Sequence, residues 1–304
     1  MEPFEIHILG CGCAKPTVRH NPSAQVVNVR GKLFLIDCGE GTQLQMRKMH
    51  LNLVGIHAVF ISHLHGDHCF GLPGLIATLS LLKRTEALHI YAHKALQEIM
   101  QPFLSFFCRS LSFEVVYHPI SHTDAAVIYE DRSLSVRTIP LHHSVPSCGF
   151  LFNEKPNLPH IRRDMIDFLN IPHYAIRAIK EGEDWTDSDG KVWPHEKLVT
   201  PATPSRAYAY MSDTGFVPQV APLIHGVDLL YHEATYIERD ADSASKYLHS
   251  TASQAAETAR LAEVKRLLLG HFSSRYEDEN VILGEATPIF PDAEMADEGM
   301  VIRL

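Results

Sequence analysis

Residues 60–75, FISHLHGDHCFGLPGL, crowd three histidines and an aspartate (His63, His65, Asp67 and His68) into six positions directly after an apolar run. Imidazole and carboxylate without thiolate suit a catalytic first-row divalent ion such as zinc, whereas closed structural sites recruit cysteine. Four such groups on one tight loop exceed the needs of one open catalytic ion and match half the ligands of two. Paired ions roughly 3.5 to 4 Å apart are a clamp used in phosphoester hydrolysis.

Similar residues follow other apolar runs. RTIPL leads into His142 and His143, AYMS into Asp213, LLY into His232 and Glu233, and RLLLG into His271. Together with AVFIS before the first cluster, five candidate strands deliver His, Asp or Glu to their C-terminal ends, which is how a sheet edge assembles one site from distant sequence. His142 and His143 are adjacent, so one of the two is expected to point into the site. Asp213, in MSDTG, taken alone reads as a turn-forming aspartate, and its context raises it to a ligand candidate.

The elements that must hold these residues are legible as runs of β-branched and aliphatic residues: FEIHIL, QVVNV, KLFLID, AVFIS, LHIYA, LSVRTIPL, AYAYMS, DLLYHE and RLLLGH. Between them GLIATLSLLKR and KALQEIMQPFLSFF carry apolar residues at helical spacing, and STASQAAETARLAEV offers Ser250 or Thr251 as an N-cap. This alternation predicts a layered α/β fold.

Composition narrows the function classes. A chain of 304 residues with 45% hydrophobic residues can bury a sizeable core without staples. The six cysteines are scattered with no Cys-x-x-Cys pairing, as expected for reduced, mostly buried thiols. The start MEPFEIHILGCG lacks a basic n-region and a long apolar h-region, and no stretch approaches the roughly 18 to 20 apolar residues of a membrane helix, so a cytoplasmic protein is expected. A net charge of -9 means that any nucleic-acid contact rests on local positive surface.

HLHGDH resembles the signature of the metallo-β-lactamase superfamily, an α/β fold in which two sheets and their helices form a four-layer αβ/βα sandwich. Within it DCGEGTQLQ (37–45), HLHGDHCFGLPGL (63–75), SDT (212–214), HEAT (232–235), HSTA (249–252) and GHFSSRY (270–276) together resemble ribonuclease Z, the endonuclease family that matures the 3′ end of transfer RNA. The resemblance implies a single domain over 1–304, with a protruding tRNA-binding arm inserted at about 154–200. It implies two zinc ions per subunit, with manganese accepted by the same ligands: His63, His65 and His143 on one, Asp67, His68 and His271 on the other, and Asp213 bridging. His143 is preferred to His142 because HSVPSCGF matches the family's third-histidine block.

The implied reaction is dinuclear-zinc hydrolysis of the phosphodiester after the discriminator nucleotide, leaving a tRNA 3′-hydroxyl and a 5′-phosphate on the trailer. Asp67 is assigned as proton acceptor, His249 as proton donor to the leaving oxygen, and Glu233 as the group orienting His249. Asp37 is expected to steady the histidine loop from behind. The loop CAKPTVRHNPSA (13–24) resembles the one that handles the tRNA 3′ end, making Lys15, Arg19 and His20 candidate phosphate contacts. Arg275 is a further one. In the arm Lys155, Arg162, Arg163, Arg177 and Lys180 are candidates, and the acidic run EGEDWTDSDG reads as a solvated turn or hairpin. A homodimer is implied by the family. The competing readings are a hydrolase of small phosphodiesters, thioesters or lactones on the same site, and a nucleic-acid-binding protein with a vestigial metal centre.

Overall fold

The structure is a computed structural model that describes residues 2–304. Contacts divide it into two compact units, one of residues 1–153 and 206–304, the other of residues 154–205.

The first unit is built on two seven-stranded sheets. One contains β1 (Phe4–Gly10), β2 (Ala24–Val29), β3 (Lys32–Ile36), β4 (Ile56–Phe60), β5 (Leu88–Ala92) and β6 (Val115–Pro119) in that order. The other runs β7 (Val127–Glu130), β8 (Leu134–Pro140) and β9 (Cys148–Glu154), then crosses to strands from the C-terminal part of the chain.

The second unit intervenes. Its strands are β10 (His160–Ile161), paired with β13 (Val199–Thr200), and β11 (Trp185–Thr186), paired with β12 (Val192–Trp193). Helices Arg163–Leu169 and His173–Lys180 and the short helix His195–Leu198 complete it. Ile171, Ala175, Ile179 and Leu198 form its small core, with Trp185 and Trp193 packed alongside. The acidic run at 181–190 forms the start of the β11–β12 hairpin. Asp187 accepts from Trp193 Nε1 at 2.9 Å and from the Lys191 amide at 3.0 Å, so that carboxylate is spent on the turn.

The remaining strands are β14 (Ala207–Met211), β15 (Leu229–Glu233), β16 (Leu267–Gly270), β17 (Ala293–Met295) and β18 (Val301–Arg303). The second sheet has the order β17-β16-β15-β14-β9-β8-β7, and β18 returns to the outer edge of the first beside β1. From β3 to β6, and from β14 to β17, the pairing is parallel, which brings the C-terminal ends of neighbouring strands to a common edge in each sheet.

Period-two burial explains the layering. On β3 and β4, Phe34, Ile36, Ala58 and Phe60 face the other sheet, while Leu33, Leu35 and Val59, with Ile61 just beyond β4, face helices Leu72–Leu81 and Ala95–Phe107. Phe60 packs its ring 5.5 Å from Phe150 and 5.6 Å from Phe152, joining the two sheets. Truncating Phe60 to alanine would cost about 3–5 kcal/mol. Behind the second sheet, helix Ala252–Leu261 turns Ala252, Ala255, Ala256 and Ala259 inward, a stripe small enough for close approach. Thr251 supplies its cap: the Gln254 amide donates to Thr251 Oγ1, and the Thr251 amide to Gln254 Oε1. No helix among the described residues is long and apolar enough to cross a membrane.

Candidate metal centre

The loops that leave β4, β8, β14, β15 and β16 converge. The Nε2 atoms of His63 and His143 lie 3.1 and 3.3 Å from His65 Nδ1, and each stands 3.8 Å from Asp213 Oδ1. Asp213 Oδ2 faces a second trio, 3.0 Å from His68 Nε2 and 3.3 Å from His271 Nε2, with Asp67 Oδ2 at 3.6 Å from each of those nitrogens. The potential ligand atoms of His63, His65, His143 and Asp213 lie within 4.8 Å of one another, as do those of Asp67, His68 and His271. One carboxylate thus presents a different oxygen to each group.

Hydrogen bonds on the far side of each ring assign the inward nitrogen. His143 Nδ1 donates to the Leu248 carbonyl at 3.0 Å, and His68 Nδ1 to Asp37 Oδ2 at 2.7 Å. Ser62 gives its hydroxyl proton to Asp37 Oδ2 at 2.9 Å and accepts from His63 Nδ1 at 3.0 Å. Thr235 does the same for His271, accepting from its Nδ1 at 2.9 Å while donating to Glu233 Oε2. Four imidazoles therefore turn lone pairs toward one small space, a repulsive arrangement unless a cation fills it. His68 Nε2 and His271 Nε2 are buried with no properly directed hydrogen bond. Orphaned buried nitrogens, carboxylates and no thiolate fit a catalytic divalent metal.

The charges agree. Burial by itself would drive His68 and His271 toward the neutral form, but Asp213, with Asp37 and Asp67 around His68, raises both well above the ordinary histidine value. Burial and the His68 charge push His63 well below it. Burial would raise Asp67, yet His68 and His271 hold it below the usual carboxylate range. In a metal-loaded site a cation takes the place of those protons.

The backbone is forced into shape here. Asp37, Asp213 and His271, each within two residues of its strand's end, and Leu248, whose carbonyl holds His143, all have φ between 51° and 58°. Left-handed geometry at non-glycine residues costs roughly 1–2 kcal/mol each, and it is held by the surrounding bonds. At Gly71 a Cβ would sit 2.1 Å from the Gly39 carbonyl oxygen, so only glycine lets the histidine loop close on residues 37–39.

Beside the cluster, His249 Nδ1 donates to Glu233 Oε1 at 2.8 Å, and the Thr214 amide donates to the same oxygen at 2.6 Å. The His249 ring stacks 5.5 Å from His271. Burial would lower the His249 pKa, but the adjacent Glu233 carboxylate raises it above the ordinary value. Next in sequence Ser250 Oγ donates to the Thr214 carbonyl and Thr251 caps its helix, so three consecutive residues each fix a different part of this corner.

His142 stays outside the cluster, exposed, with its amide on Thr214 Oγ1. Asp37 stands behind the histidine loop and also accepts from Tyr210 at 2.7 Å across the two sheets. The Ala14 amide donates to Asp67 Oδ2 at 2.8 Å, bringing loop 13–24 to the site. Lys15 is exposed. Arg19 pairs with Glu279 at 3.0 Å. His20 departs from the expected phosphate contact: it is buried, 2.7 Å from Glu298 Oε2 and 3.1 Å from Glu279, because two carboxylates from the C-terminal segment enclose it. Arg275 lies over the Tyr236 ring and pairs with Asp240 at 3.3 Å. Arg162 and Arg163 are exposed in the second unit, Arg162 paired with Asp164. Sequence reasoning missed Ser62, Thr235 and Tyr210, hydroxyls with no spacing signal that marks them, and the Leu248 carbonyl.

Comparison with known proteins bears on this geometry. A family model described as Anti-Pycsar protein Apyc1 matches residues 4–159. A protein named ribonuclease Z from Phocaeicola vulgatus is 53% identical over 304 residues, covering 100% of this chain and 98% of its own, and one from Bacteroides fragilis is 51% identical with 100% of both covered. The crystal structure of human tRNase Z, short form, is similar with a TM-score of 0.71 at 28% identity, covering 98% of each chain. The metallo-beta-lactamase fold protein YhfI from Bacillus subtilis, at 17% identity and a TM-score of 0.70, covers 99% of this chain and 100% of its own and shares the fold. With half its residues shared end to end and the same fold, the chain belongs to the ribonuclease Z family.

Proposed function

We propose that the protein is a metal-dependent endoribonuclease that removes the 3′ trailer from precursor tRNA, leaving a 3′-hydroxyl on the tRNA and a 5′-phosphate on the trailer. The observation that carries this reading is the two-lobed ligand set sharing Asp213, in a chain about half identical over its whole length to proteins named ribonuclease Z. The set suits two zinc ions, one on His63, His65 and His143, the other on Asp67, His68 and His271, with Asp213 between them; manganese is compatible with the same donors. Divalent ions held there supply Lewis acidity, acidifying water and neutralising charge on the phosphoryl oxygens.

The chain's own residues do the rest. Asp67, anchored by the Ala14 amide, is placed to take the proton of the attacking water. Glu233, bonded to His249 Nδ1, favours the protonated imidazole, which leaves Nε2 as the proton donor to the leaving 3′ oxygen. The unit at residues 154–205 is read as the tRNA-binding arm, with Arg162, Arg163, Arg177 and Lys180 toward backbone phosphate. The pairs Arg162–Asp164 and Arg177–Glu181 are exposed and screened by solvent, so they yield readily to phosphate. Exposed Leu81 and Leu82 at the end of one helix and Ile99, Phe103, Phe106 and Phe107 on another support a homodimer. A cytoplasmic location accords with the substrate.

The test is incubation with a 3′-extended precursor tRNA beside a small phosphodiester. Cleavage next to the discriminator with a 5′-phosphorylated trailer supports the reading; turnover of the small ester alone moves the protein to the general hydrolase class.

A further inference from the structure

We propose that the cleft between residues 140–142 and 216–223 is a nucleobase subsite, in which Phe216 stacks on one base flanking the scissile phosphate. The inference rests on the phosphodiester-cleaving reading and adds to it a specificity element outside the ligand cluster. The cleft has a volume of about 510 Å³, within the range of small-ligand pockets. None of its lining residues is a lysine, arginine, aspartate or glutamate, which suits an uncharged base and not a second phosphate.

Its floor is the buried pair Val217 and Val220, both part of the main core, while Phe216 turns outward with 37% of its surface exposed. Gln219 and His142, also exposed, supply donors and acceptors for a base edge. Splayed single-stranded bases are recognised by this combination of an aromatic face and a polar edge. The cleft is tied to the cluster through the backbone. His142 precedes His143, and its carbonyl accepts from the Gly215 amide at 2.8 Å. Its amide donates to Thr214 Oγ1, and Thr214 in turn donates its amide to Glu233. The cleft thus shares the segments 142–143 and 213–216 with the ligand cluster.

The test combines Phe216→Ala and Phe216→Tyr with precursor tRNAs made abasic at the nucleotide 5′ or 3′ of the cleavage site. We expect Phe216→Ala to raise KM for the precursor about 5- to 150-fold. Phe216→Tyr restores it, and turnover of bis-p-nitrophenyl phosphate is unchanged. One of the two abasic positions imposes a similar loss on the wild type and none further on Phe216→Ala, which identifies the side the base comes from. A wild-type KM in Phe216→Ala, or abasic losses that simply add to it at both positions, overturns the proposal. Wild-type cleavage of the unmodified precursor, read in the same series, tests the functional reading independently.

Discussion

Replacing Asp37 by asparagine isolates the support behind the metal cluster from the cluster itself. The carboxylate accepts four hydrogen bonds: from the Ser62 amide at 2.7 Å on Oδ1, and from Ser62 Oγ, His68 Nδ1 and Tyr210 OH at 2.7–2.9 Å on Oδ2. Asparagine keeps one oxygen. If it faces the three donors, its amide nitrogen meets the Ser62 N–H, leaving a buried donor unsatisfied at a cost of about 1–3 kcal/mol. The three bonds that survive lose their charge assistance, which roughly halves their strength. The expected loss is about 2–4 kcal/mol in urea unfolding. The second consequence is specific to the site: His68 Nε2 becomes a weaker donor once its other nitrogen no longer faces a carboxylate, so metal affinity should fall about 10- to 100-fold. Competition with a chromophoric chelator measures it. Tyr210→Phe, which removes one donor and leaves the carboxylate, should cost about 1 kcal/mol of stability and little metal affinity. An Asp37→Asn protein with reduced stability and unchanged metal affinity would refute the support role and make Asp37 a core acceptor only.

Three other outcomes are expected. His249→Ala should lower the single-turnover rate of precursor cleavage by about 10²- to 10⁴-fold with metal content unchanged, read by rapid quench and metal analysis. Removal of residues 156–197 should weaken tRNA cleavage far more than hydrolysis of a small phosphodiester, and equal losses would remove the arm assignment. The His20 latch should make stability depend on pH. Burial would lower His20, but Glu298 and Glu279 raise it above 6.5, so its contribution is full below about pH 6.5 and lost as pH rises through the folded value. Burial would raise Glu298, but His20 lowers it below 4.5, so that contribution is present above about pH 4.5 and lost as pH falls through the folded value. His20→Gln should therefore destabilise most between about pH 4.5 and 6.5 and least in alkali, as measured by urea unfolding across that range.

Local signals carried much of the fold and most of the ligand set. The apolar runs at β1 to β5 and at β14 to β16 have the length and composition of buried strands, and β4, β14, β15 and β16 lead into residue types that a sheet edge can use. β7 was not legible because VIYE is four residues with two exposed positions, too short to show a pattern. The resemblance favoured His143 over His142, and the geometry gives the physical reason: the Leu248 carbonyl, 105 residues away, orients its ring. His20 shows the limit most directly. Its sequence neighbours are Arg19 and Asn21, which suggest phosphate, but its partners Glu279 and Glu298 lie more than 250 residues downstream and only folding brings them together. Likewise Ser62 and Thr235 are ordinary hydroxyl residues in sequence, and their role as two-way relays depends on which ring nitrogen faces them.

The most direct test of the central claim is a zinc titration of chelator-stripped protein, with cleavage of a 3′-extended precursor tRNA and the position of the cut read at each step. Activity rising to a plateau at two equivalents per chain, with the cut next to the discriminator and no such plateau in Asp213→Ala, is the predicted result. Full cleavage without added metal, or an Asp213→Ala protein that binds two equivalents and cuts as the wild type does, would contradict it.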